Sequence, residues 1–212
     1  MHYLITGGQR GLGKSLANNL SHPDTVYAPS SKDWDVRYMR LFTNDTEFDR
    51  VFVNAAIKDE STALNCNPAD MLDIFNVNCV GAVRTVQSVV NYLKPDSKIV
   101  IMTSQMGSTA LTGGITVHGR YGDHYVNPTY SISYRMSKAA VNKLVQCLAL
   151  DLKDRGIAVY AIDPGWPRTD MGGPFASMDT DECAKNILRT VEQLTIKDTG
   201  KFFDWQGELL EW

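Results

Sequence analysis

A tyrosine and a lysine four residues apart, Tyr134 and Lys138, fall in a stretch with helical apolar spacing. At that separation two side chains share one helix face, so the ammonium can lie beside the phenol. A neighbouring cation favours phenolate and lowers a phenol from its usual value of about 10 toward neutral pH. Such a group can give a proton to a carbonyl as it is reduced, or take one from an alcohol. Read without that chemistry, the tyrosine is a packed core residue and the lysine a solvated one. Tyr130 is a rival phenol, although the residue four beyond it is Tyr134 and not a lysine. A second run with chemical content is Ile5-Thr6-Gly7-Gly8-Gln9-Arg10-Gly11-Leu12-Gly13. There a short apolar strand feeds a glycine turn that opens a helix, and backbone N–H groups and the positive helix end can approach a pyrophosphate. The bland alternative is a glycine turn with no ligand.

Apolar runs that alternate with helix-period segments are the pattern of a parallel sheet covered by helices on both faces. Strands are expected at 3–6, 25–28, 50–54, 98–103, 158–162 and 201–203. A first helix follows at 12–20. One long helix should run from Pro68, capped by Asn67, to near Leu93, where Pro95 stops it. A second should run from 133 to 155 with Gly156 closing it, and a last from 180 to 194 with Asp179 as its cap. Between the second strand and Arg50 there is too little chain for the usual helix, strand and helix, so that region is shortened. The expected fold is α/β, a doubly wound parallel sheet in a single domain over 1–212.

The chain has 212 residues, of which 43% are hydrophobic and 21% charged, a composition that excludes disorder and a disulfide scaffold. A formal charge of -3 without a basic run argues against nucleic acid as a partner. The cysteines, Cys66, Cys79, Cys147 and Cys183, stand far apart without histidine company, so no metal site is read. No apolar run approaches the ~20 residues that span a bilayer. With no secretory signal legible at the start, no membrane association and a cytoplasmic location are expected.

Further segments recur in a recognisable order. Thr6, Gly7, Gly11 and Gly13 give TGxxxGxG, not GxGxxG, and Asn54-Ala55-Ala56 follows a predicted strand. Asn78 lies inside the long helix, Ser104 ends the strand before it, Tyr134 and Lys138 give YxxxK, and Pro164-Gly165-Trp166-Pro167-Arg168-Thr169 follows a later strand. Over essentially the whole chain this resembles the short-chain dehydrogenase/reductase family. Within it, residues 134–142, 169–174 and 200–207 look like the small carbonyl-reductase branch of C-factor and Sniffer-type proteins. The resemblance implies a Rossmann-type fold and a catalytic set of Asn78, Ser104, Tyr134 and Lys138. Tyr134 would exchange the proton, Ser104 would polarise the substrate oxygen, Lys138 would also hold the nicotinamide ribose, and Asn78 would hold a water that passes protons to Lys138. Cofactor contacts are implied at Gly7, Arg10, Gly11, Leu12, Gly13, Ser30, Asp35, Val36, Asn54, Ala55, Ala56, Tyr134, Lys138, Pro164, Gly165, Pro167 and Thr169, with a homodimer or homotetramer as the assembly.

Three features depart from that pattern. Residues 105–133 form a long insert, rich in glycine and carrying Tyr121, His124, Tyr125, Tyr130 and His118, which reads as a substrate-side loop or hairpin or as a plain exposed loop. Residues 30–48 are trimmed, although Asp35-Val36 still resembles the pair that contacts adenine. Pro167 stands where the family offers a backbone N–H near the nicotinamide amide; either a donor is lost and Thr169 takes over, or the proline stiffens the turn. No acid stands at 27–32, and Arg10 can reach a 2′-phosphate, so NADP is preferred and NAD remains possible. The expected function is hydride transfer between NADP(H) and a small ketone, aldehyde or secondary alcohol. The alternatives are a catalytically weak NADP-binding sensor or signalling protein, and a sugar-nucleotide reductase or epimerase.

Overall fold

The structure, a computed structural model, describes residues 1–42, 47–111 and 115–212. Six strands, β1 (His2–Ile5), β2 (Thr25–Tyr27), β3 (Phe48–Val53), β4 (Leu93–Met102), β7 (Ala158–Asp163) and β8 (Phe202–Asp204), form one parallel sheet. Its order is β2-β1-β3-β4-β7-β8, an open Rossmann-like sheet. Between β4 and β7 an antiparallel hairpin is made by β5 (Ile115–Gly119) and β6 (Gly122–Val126). The helices are α1 (Gly11–Asn18), α2 (Pro68–Phe75), α3 (Gly81–Val89), α4 (Ile132–Asp151) and α5 (Thr180–Gln193).

The sheet is buried on both sides, which explains why its strands read as unbroken apolar runs. Leu4, Val51, Ile99, Val159 and Ala161 face a core shared with α3 and α4. Their alternates, Tyr3, Phe52, Val100, Tyr160 and Ile162, face a second core shared with α1 and α5. Each fully buried large apolar side chain stabilises such a layer by about 1.5–3 kcal/mol. Asp179 caps α5 by accepting from the N–H groups of Asp181 and Glu182, and Gly156, at φ 68°, closes the turn after α4.

The long helix expected over 68–93 is interrupted. Asn67 caps α2, but residues Asn76–Val80 form a π-turn before α3 begins, and the helical run ends with a 3-10 turn at Val90–Tyr92. Pro95 does not stop that helix. It lies early in β4, where the pairing slips from Phe48↔Leu93 to Arg50↔Lys98, so its missing N–H removes no ladder bond. The shortening after β2 is as expected: among the described residues between Tyr27 and Phe48 there is no helix and no strand. Aromatic edges take their place, with Phe42 packed against Tyr27, Trp34, Phe48 and Tyr92.

Candidate active site

The carboxyl ends of β1, β3, β4 and β7 converge on one edge of the sheet. At the end of β1 the Thr6 hydroxyl accepts from the N–H of Asn54 (3.0 Å) and of Ala55 (3.2 Å), and the Asn54 amide donates back to the Thr6 carbonyl at 3.0 Å. Asn54-Ala55-Ala56 is thus pinned beside the glycine turn. Gly7 and Gly11 adopt φ of 65° and 50°, which only glycine takes without strain. A Cβ on Gly13 would lie 2.6 Å from the Asn54 amide nitrogen and closer still to the Gly7 carbonyl. Helix α1 starts with Arg10 as its N-cap, without a capping side chain and without an acid in its first turn. Its first N–H groups therefore remain available to an anion, and Leu12 packs inward behind them. Against this turn lies a recess of about 520 Å³ lined by Gly11, Arg168, Thr169, Asp170, Gly173 and Pro174. This cradle fits the pyrophosphate of a dinucleotide.

Beyond the end of β2 the arrangement is more crowded than expected. The Ser30 hydroxyl and N–H both donate to the Asp33 carboxylate, at 2.6 and 3.0 Å. An acid thus does stand near the end of β2, one residue beyond the stretch read as free of acids. Two cations offset it: Lys32, and Arg40, whose guanidinium donates to the Asp33 carbonyl at 2.8 Å and lies over the Tyr27 ring. The Asp35 carboxylate is gripped by Arg37, and Val36 is wedged against Gly81 of α3. Arg10 is exposed at the turn.

Helix α4 brings in the reactive pair. Tyr134 is buried, with its hydroxyl near enough to Ser104 for the two to interact; Ser104 opens the turn after β4 and accepts from the Met106 N–H at 3.1 Å. Lys138 donates to the Met102 carbonyl at 2.6 Å, with its Nζ 5.5 Å from the Tyr134 ring centre. Asn78 sits in the π-turn beside them. Its Oδ1 accepts from the Ile57 N–H (2.8 Å), and its Nδ2 donates to the Ile57 carbonyl (2.8 Å) and to the Ser137 hydroxyl (3.0 Å). The side chain thus ties the loop after β3 to α4, with both its hydrogens committed; a π-turn here displaces the helix carbonyls around Asn78. Tyr130 is exposed, and its phenol interacts with Glu60.

One expectation is reversed. The phenol of Tyr134 is pushed up from its ordinary value, not down: burial dominates, the charge of Asp163 adds to it, and the bond from Ser104 only partly opposes them. Burial also lowers Lys138, to about 8, against the opposing charge of Asp163.

Two residues of the site escaped the sequence reading. Asp59 accepts from the Tyr134 N–H at 3.1 Å and from the Ser133 N–H at 3.4 Å, so it caps α4 from outside the helix. The helix needs this, since its own N-cap, Ser131, stands at φ 57° with its hydroxyl turned to the Asp59 carbonyl. Asp59→Ala should therefore cost about 1 kcal/mol of stability in urea unfolding. Tyr134 would lose its register as well, so turnover should drop with little change in cofactor affinity. The second is Asp163, buried at the end of β7, whose Oδ2 accepts from Gln105 at 3.0 Å.

The loop after β7 closes the site. Pro164 and Gly165 turn the chain, and Pro167 pairs with Met178 through Arg168 N–H to Met178 carbonyl and Met178 N–H to Trp166 carbonyl. Position 167 spends neither of its own backbone groups on that bridge and presents them on the other side, where proline has no N–H to offer. The Thr169 hydroxyl accepts from the Gly172 N–H at 3.1 Å and keeps its own proton to donate. The insert supplies the hairpin β5–β6, which leans on this loop: His124 packs edge-on to Trp166, Tyr121 packs edge-on to Phe175, and the Arg120 N–H donates to the Phe175 carbonyl. The side chain of His118 is outside the described residues. Among the described residues no cluster of His, Cys, Asp and Glu could hold a metal, and no helix is long and apolar enough to cross a membrane.

The family model described as Enoyl-(Acyl carrier protein) reductase matches residues 32–202. C-signal of Myxococcus xanthus is 34% identical over 146 residues, covering 68% of this chain and 80% of that protein. Among solved structures, the NADPH-bound carbonyl reductase from chicken fatty liver superposes with a TM-score of 0.81 at 23% identity, over 100% of this chain and 98% of that one. The carbonyl reductase Sniffer of D. melanogaster gives 0.81 at 22%, over 100% and 99%.

Proposed function

Because this chain belongs to the short-chain dehydrogenase/reductase family, we propose that it is an NADP-dependent oxidoreductase that interconverts a small ketone or aldehyde and the corresponding alcohol. The observation that carries this reading is the buried Tyr134–Ser104 pair, with Lys138 behind it, on the same sheet edge as a glycine cradle shaped for a pyrophosphate. NADP(H), when bound, supplies or accepts the hydride. Gly7, Arg10, Gly11, Leu12 and Gly13 would hold its phosphates, Asn54, Ala55 and Ala56 would flank its ribose, and Thr169 would orient the carboxamide. Ser104 donates to the substrate oxygen and polarises the carbonyl. Tyr134, held as a phenol by burial, gives its proton to that oxygen as negative charge develops there. Lys138 holds positive charge beneath the phenol and stabilises the phenolate left behind. The four free cysteines and the soluble-type packing of both helix layers support a cytoplasmic enzyme, and the family supports a homo-oligomer.

The test is a panel of ketones, aldehydes and quinones with NADPH, followed by loss of nicotinamide absorbance; turnover of at least one carbonyl is expected. The similarity to C-signal favours one second reading, a cofactor-binding signal protein with negligible turnover. Tight NADPH binding with no active carbonyl would select it.

Cofactor choice gives a separate prediction. Arg10, Lys32 and Arg40 outnumber Asp33 at the ribose end, and Asp33 is already engaged by Ser30. NADPH should bind about ten-fold more tightly than NADH, and Arg10→Ala should remove most of that difference. Calorimetric titration with both reduced cofactors measures it, and equal affinities in the unmodified protein would contradict it.

A further inference from the structure

Among the described residues Asp163 is the only buried acid, at 4% exposure, and the proton transfer described above makes no use of it. Strand alternation places its side chain on the face of the sheet that α4 covers. Val159 and Ala161 of β7 face the core shared with α4, so Asp163, two residues further on, faces the same way. One step beyond the pairing of Met102 with Ile162, its neighbour just past the end of β4 is Thr103, whose hydroxyl reaches the Lys138 carbonyl at 3.4 Å. Gln105, next to Ser104, anchors Asp163 Oδ2 at 3.0 Å. Lys138 meanwhile has as its hydrogen-bond acceptor the neutral Met102 carbonyl, and a buried ammonium requires a counter-charge.

We propose that Asp163 is a positioning residue of this site, the fixed counter-charge that keeps Lys138 an ammonium and Tyr134 a phenol, and so biases the proton toward donation to a carbonyl oxygen. This rests on the oxidoreductase reading. The groups that face Asp163 are Tyr134 and Lys138 from α4, Gln105 from the turn after β4, its cross-strand partner Asp204 from β8, and Cys183 from α5. Burial raises the Asp163 carboxyl to about 6, so it is ionised at neutral pH. Its charge lifts Lys138 against the effect of burial and disfavours the Tyr134 phenolate.

The experiment follows the Lys138 ammonium by NMR in the full chain with isotope-labelled lysine, assigned by the signal lost in Lys138→Met. Asp163→Asn keeps the shape and removes a buried charge, so folding is retained. Its Lys138 midpoint should fall by about one unit or more, and alcohol oxidation, which needs the phenolate as base, should rise at correspondingly lower pH. An unchanged Lys138 midpoint overturns the proposal. Gln105→Leu removes one of the hydrogen bonds that hold the Asp163 carboxyl down, so its Lys138 midpoint should also fall, but by less than in Asp163→Asn. A rise in the Gln105→Leu midpoint would also overturn the proposal. The lysine titration needs no substrate, so failure of every carbonyl to turn over would reject the oxidoreductase reading and leave the titration decisive for Asp163.

Discussion

Tyr134→Phe is expected to lower carbonyl reduction by about 100- to 10,000-fold, the range for loss of a positioned acid. NADPH affinity and the unfolding midpoint should stay close to those of the unmodified protein. The substitution removes one hydroxyl from a buried ring, so it leaves almost no cavity, and the ring still packs below Lys138. What it does remove is the interaction with Ser104 and the proton that the proposed mechanism gives to the substrate oxygen. Single-turnover oxidation of NADPH with an active carbonyl measures the loss. Tyr130→Phe is the control, because Tyr130 is exposed and lies four residues before the pair. A loss in Tyr130→Phe with retained turnover in Tyr134→Phe would transfer the acid to Tyr130 and refute the assignment.

Gly13→Ala should abolish useful cofactor binding, weakening NADPH by about 100-fold or more, and cost about 1–3 kcal/mol of stability. The added methyl would lie 2.6 Å from the Asn54 amide and closer to the Gly7 carbonyl, so one of them must move. Neither can move alone. Asn54 is bonded to Thr6 through both its N–H and its side chain, and Thr6 also accepts from Ala55. Relief therefore displaces the whole turn and the start of α1, where the phosphates would be held. Calorimetric titration of NADPH beside urea unfolding checks both effects, and undiminished affinity would move the cofactor away from this turn.

The glycine turn and the Tyr134–Lys138 pair were legible because their geometry is local: a turn needs positive φ, and a helix brings residues four apart together. Asp59 was not, since it caps a helix that begins more than seventy residues later and its own neighbours, Lys58 and Glu60, are ordinary loop residues. Asp163 was quoted only as the residue before Pro164-Gly165; its burial depends on β4, α4 and β8 together. The direction of the Tyr134 shift failed for the same reason. Spacing reveals the nearby lysine but not the loss of water, and loss of water dominates. The π-turn at Asn76–Val80 has no breaker residue to announce it, and the bonds that Asn78 makes there go to the backbone of Ile57, distant in sequence.

The hairpin β5–β6 meets the loop after β7 through ring edges and one backbone hydrogen bond from Arg120, while Tyr121 and Tyr125 remain in water. The floor of the site, by contrast, is made of β4, β7 and α4, which meet through the buried side chains of Ile99, Ile101, Val159, Ala161, Val141 and Val145. Roof and floor therefore belong to cooperative units of unequal stability, and amide exchange in the hairpin requires only sub-global opening. Changes in the hairpin can therefore alter its contacts with the loop after β7 without loosening the strands that aim Ser104, Tyr134 and Lys138, so the surroundings of the site and the precision of its aim are set by separate parts of the chain.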